Sequence, residues 1–183
     1  MENEMKQSKK ISWKLAALAS ILVLGGVLLV ACNNGSSGGT NIPPVPPVVI
    51  PSDPNGEGVR DDVRRYIETT HQDSAKARAA LFQYAKVVEK ALADANDKQL
   101  SVQHAEESNR ASECLTYTLG DDVAAVDKSY AMKKDLRSVI LNTDERNKAY
   151  FIYNDQLGGE VFKGTPSAQI ASTCNIDPST LPN

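Results

Sequence analysis

Between Val59 and Leu157 the chain contains no proline and a single glycine, Gly120. Strand architectures need turn punctuation about every 8–12 residues, and this stretch does not supply it. Alanine, lysine, glutamate, glutamine and arginine dominate instead, the residues that helices tolerate best. A mostly α fold is the expectation. Breaks are expected at Thr69–Ser74, Asn96-Asp97, Gly120-Asp121 and Asn142–Asp144. Between them Leu81, Ala85, Val88, Leu92 and Ala95 repeat at helical spacing and trace one apolar face, while Ala125, Ser129, Met132, Leu136 and Val139 trace a thinner second one. Gly120 followed by two aspartates reads as a helix C-cap leading into an acidic N-terminus. The polar stretch 98–112 is expected to form a largely exposed helix. Short connections between long helices favour antiparallel neighbours, so the spacing predicts an up-and-down bundle of four to five helices over a head spanning 59–183. Its last segment, after Gly158-Gly159, is expected to be an irregular C-terminal strap held near its end by Cys174. No internal repeat is found.

The first residues have a different character. Lys6, Lys9, Lys10 and Lys14 precede a run from Leu15 to Ala31 without a charge. A basic start, an apolar stretch and small residues before a boundary form a secretory signal. The uncharged run is also close to the shortest that spans a bilayer, which makes an uncleaved anchor the alternative. The run ends in Leu29-Val30-Ala31-Cys32, which resembles the lipobox of bacterial lipoproteins. That resemblance implies cleavage after Ala31, a signal peptide of residues 1–31, and acylation of Cys32, which then holds the chain to the lipid bilayer. Stable anchoring requires more than one acyl chain, and such lipoproteins generally carry several. In that family an aspartate after the cysteine favours retention at the inner membrane. Asn33 stands here, so the resemblance implies the outer membrane, facing the periplasm or the cell surface.

Residues 32–58 form the tether. A Gly/Ser-rich part is followed by Pro43-Pro44-Val45-Pro46-Pro47, which favours extended polyproline II. The 26 residues from 33 to 58 reach at most on the order of 80 Å. A ligand for proline-reading domains is the other use of this pattern, and a spacer is the expected one.

Removing residues 1–31 takes four of the 20 basic and two of the 23 acidic residues, moving the net charge from −3 to −5. No basic patch suited to a phosphate backbone remains, so nucleic acid is not expected as a partner. With Cys32 assigned to lipid, Cys114 and Cys174 are left as an even pair. In an oxidising envelope such a pair is expected to form a disulfide, the alternative being two unpaired thiols. Two isolated cysteines without a nearby histidine do not make a metal site, and no EF-hand loop is present.

No motif calls for a cofactor or marks a catalytic centre; H-E-x-x-H, G-x-S-x-G, the P-loop and G-x-G-x-x-G are all absent. His104 and Glu107, with Ser101 one turn earlier, could build a general base. The plainer expectation is a solvated helix face bearing a side-chain pair. The doublets Asp61-Asp62, Glu106-Glu107 and Asp121-Asp122 point about 100° apart on a helix and read as caps and solvated faces. The densest aromatic segment is residues 149–162, in which Tyr150, Tyr153, Asn154 and Leu157 share a helical face and Phe162 follows. Core packing and partner recognition both suit it, because tyrosines are favoured at interfaces. Tyr150, Tyr153 and Phe162 are therefore the candidate partner-binding residues. The expected function is a non-enzymatic envelope lipoprotein that binds, braces or blocks another envelope protein, in the manner of exclusion and inhibitor lipoproteins. The alternatives are an envelope hydrolase using His104 and Glu107, and a carrier holding an apolar ligand between its helices.

Overall fold

The computed structural model describes residues 53–183. The lipobox, Cys32 and the tether up to residue 52 lie outside the described residues. Five α-helices follow one another: α1 (Asp61–Thr70), α2 (Ala75–Ala93), α3 (Lys98–Leu119), α4 (Val123–Ile140) and α5 (Asp144–Gln156). Two short 3₁₀ segments, Ser167–Thr173 and Pro178–Thr180, punctuate the remaining strap. Among the described residues no strand forms, and no helix is long and apolar enough to cross a membrane. The head is a helical bundle, as the punctuation predicts.

Each break carries the chemistry that makes it. The side chain of Ser74 accepts the Ala77 N–H, Asp97 that of Leu100, Asp122 that of Ala125 and Thr143 that of Arg146. Such caps satisfy N–H groups that a helix leaves without intrahelical partners, at about 1 kcal/mol each. Gly120 ends α3 with φ of 137°, a conformation that strains any residue with a side chain.

The helix α2 is the centre of the bundle and packs against all four other helices. Leu81, Ala85, Val88, Leu92 and Ala95 are all buried. On α4 the inward face is Ala125, Ser129, Met132, Leu136 and Ile140. Val139 is only half-buried, because its neighbour Ile140 takes the last interior position.

The expectation of an exposed helix over 98–112 is overturned. The α3 helix packs along α2 and is also touched by α4, α5 and the strap. It buries Ser101, His104, Ala105 and Ala111 within that stretch. A helix whose inner face is small or polar carries little hydrophobic periodicity, yet it can approach a neighbour closely.

A buried polar junction fastens the far end of α4. Arg146, 3% exposed, donates to Glu89 (1% exposed) at 2.5 Å and to the Ile140 carbonyl at 2.5 Å. Arg60, immediately before α1, donates to the carbonyls of Ile140 and Val139, each at 3.2 Å, and to Asp62. These carbonyls belong to the last turn of α4, whose acceptors have no intrahelical donors. The guanidinium groups replace the missing turn.

The strap lies across α3 and the start of α2. Cys114 and Cys174 form a disulfide across a sequence separation of 60. Around it Gln83 donates to the Thr173 carbonyl at 2.8 Å and accepts the Asn175 N–H at 2.9 Å. Glu113 accepts the Thr165 N–H at 2.8 Å, and the Pro182 carbonyl accepts the Ala75 N–H at 3.1 Å.

Candidate functional site

The residue pattern of α5 places Tyr150, Tyr153, Asn154 and Leu157 on one side, and that side faces a cleft rather than solvent. Tyr153 is 6% exposed and Tyr150 is half-buried, with ring centroids 5.9 Å apart. Phe162 folds back from the start of the strap to line the same cleft. Opposite them stand Tyr84 from α2, Ser108 and Asn109 from α3, and Arg137 from α4. The cleft is half open and has a volume of about 160 Å³. Tyr150, Tyr153 and Phe162 thus meet in one aromatic wall. Phe151, on the opposite side of α5, is 70% exposed.

Two features of this wall are chemical. Burial pushes Tyr153 up to about 12, reinforced by Tyr150 and Tyr84, and burial also raises Tyr84. The hydroxyls of Tyr84 and Tyr153 are therefore neutral groups able to donate. Arg137 is the one charged residue lining the cleft, and its Nη1 donates to the Tyr150 hydroxyl at 3.3 Å. Among the described residues no carboxylate forms an ion pair with Arg137.

The sequence holds a partial signal for this arrangement. Tyr84 falls at helical spacing within the α2 stripe, one turn from Leu81 and from Val88. Arg137 carries none, because only the packing of α4 against α2 and α3 aims it into the cleft.

His104 is not on a solvated face, which corrects the plainer expectation for it. Its ring is buried, with Nε2 2.8 Å from an Asp94 carboxylate oxygen and Nδ1 3.5 Å from Glu107. Asp94 caps the C-terminus of α2, so the imidazole joins the end of α2 to α3. Ser101 is fully buried. Burial works against ionisation of Glu107, but donors from Gln103 and Lys90 outweigh it and hold the carboxyl below its usual range. The group is a polar cross-brace between helices, and its imidazole is closed off by the residues that hold it.

His71 is half-buried with its ring edge-on to Tyr66. Burial lowers its pKa below 6.5, helped by Lys128 and opposed by Asp135. The folded state then binds fewer protons than the unfolded state between those two pKa values, so stability rises with pH there. The head should lose stability as pH falls from 6.5 through the folded pKa of His71. In His71→Asn that component should vanish from chemical denaturation curves recorded between pH 5 and 7; an unchanged slope would refute the assignment.

Comparison of the chain with protein-family models, with curated proteins and with solved structures gives no match in any of the three.

Proposed function

We propose that this chain is a lipid-anchored envelope protein, held through acylated Cys32 at the outer membrane facing the periplasm or at the cell surface. Its helical head acts as a non-enzymatic recognition module toward another envelope component. The observation that carries the recognition reading is the cleft in which Tyr84, Tyr150, Tyr153 and Phe162 surround Arg137. Rigid aromatic side chains beside a guanidinium are the composition that dominates binding energy at protein interfaces. Against the hydrolase alternative stands the burial of His104 between Asp94 and Glu107. This cleft by itself is small for a carrier of an apolar ligand: drug-sized ligands occupy about 300–1,000 Å³, and it holds about 160 Å³.

Crosslinking of the full-length protein in cells tests the reading. A dominant captured envelope protein should be lost about tenfold or more in Tyr150→Ala, with the helical circular dichroism retained. Capture undiminished by that change would refute the cleft. The anchor is checked separately by palmitate labelling, which Cys32→Ser should abolish; an unlabelled wild type would sink it.

A further inference from the structure

The recognition reading leaves open what enters the cleft, and the chemistry of its walls narrows the answer. We propose that the cleft captures a single carboxylate group borne on a small apolar or aromatic stem. The carboxylate pairs with Arg137 and accepts from the Tyr84 and Tyr150 hydroxyls, while the stem lies on Tyr153 and Phe162. The proposal rests on the recognition reading above and specifies its ligand.

Three independent observations converge on it. Size is the first. A cavity of about 150 Å³ takes one molecule as small as benzene. This half-open cleft offers about 160 Å³, room for the end group of a larger partner.

Charge is the second. Arg137 is the only charged residue among those lining the cleft, and its planar fork matches a carboxylate bidentately. One guanidinium balances one negative charge, which favours a carboxylate over a phosphate dianion. Among the described residues no carboxylate forms an ion pair with Arg137, so an incoming anion meets an uncompensated charge.

Third comes the lining around that charge. Tyr84 and Tyr150 place hydroxyls beside the guanidinium, and Ser108 and Asn109 add polar groups from α3. Apolar walls with a few convergent polar groups are the usual constitution of a small-molecule site.

The test uses the full-length protein in detergent, with carbon-13-labelled tyrosine rings observed by NMR. Benzoate serves as the probe, benzamide as its uncharged counterpart and inorganic phosphate as a stemless anion. Benzoate should shift the Tyr84, Tyr150 and Tyr153 ring signals saturably, and benzamide and phosphate should do so about tenfold more weakly or not at all. Arg137→Gln should weaken benzoate by about tenfold or more. Asn154→Glu provides a second variant at an exposed position of the cleft. It supplies the protein's own carboxylate as a competitor and should weaken benzoate similarly. No saturable shift with benzoate, benzamide binding as tightly, or phosphate binding as tightly would each overturn the proposal. So would benzoate binding undiminished in both variants. If benzoate fails while Tyr150→Ala still abolishes partner capture, the carboxylate assignment falls and the recognition reading stands.

Discussion

Arg146→Ala is expected to destabilise the head by roughly 3–5 kcal/mol, the usual cost of stripping one partner from a buried ion pair. Glu89 is 1% exposed and Arg146 3% exposed. Without the guanidinium, Glu89 has no other hydrogen-bond donor among the described residues, and the Ile140 carbonyl loses a donor as well. Burial already pushes the Glu89 carboxyl above its ordinary value of 4.5, and the hydrogen bond and charge of Arg146 pull it back. Deleting Arg146 removes that opposition, so the carboxyl of the variant rises further. A carboxyl raised in the folded state contributes stability that is present below its unfolded pKa and lost as pH rises through its folded one. The deficit of Arg146→Ala should therefore shrink as pH is lowered toward 4.5. The double replacement Glu89→Met with Arg146→Met should recover much of the loss, since well-packed apolar side chains commonly replace a buried pair at little cost. Urea denaturation of the wild type, Arg146→Ala and the double variant checks all of this. A loss under about 1 kcal/mol in Arg146→Ala would mean that the pair is effectively solvated.

Second in size is the disulfide. Cys114→Ser with Cys174→Ser should cost roughly 4 kcal/mol on the chain-entropy account for a closed loop of this length. The sequence separation is 60. Reduction of the wild type should reproduce the loss. Its local signature should be distinct from that of Arg146→Ala. Hydrogen exchange should rise in the strap, where Gln83 and Glu113 hold backbone groups only while Cys174 is fixed near α3. Unchanged protection of residues 165–182 in the double variant would show that the side-chain contacts hold the strap unaided.

The legible parts of this fold were those written in local chemistry. Proline and glycine depletion announced helices, and Ser74, Asp97, Asp122 and Thr143 stand where the breaks were expected. The spacing of Tyr150, Tyr153, Asn154 and Leu157 placed one wall of the cleft. What escaped the sequence is long-range and polar. Glu89 and Arg146 are 57 residues apart, and nothing near either one names the other. For α3, periodicity misled because Ser101 and His104 count as polar in any pattern, yet they point inward. Their burial is decided by Asp94 and the close approach of α2, which only the folded chain reveals. Arg137 is the same case at the candidate site: alone it is one more surface arginine, and its meaning comes from tyrosines on two other helices.

The position of Arg60 has a mechanical consequence. On the proposal that Cys32 is embedded in a membrane, any pull between membrane and head enters through residue 53 and arrives at Val59-Arg60, directly before α1. Arg60 grips the Val139 and Ile140 carbonyls, and Ile140 is also the acceptor for Arg146. The load is thus handed across to the corner between α4 and α5 before it can unwind α1, and Arg146 carries it on to Glu89 in the central helix. The junction that closes the end of α4 doubles as the point where the head would bear its leash.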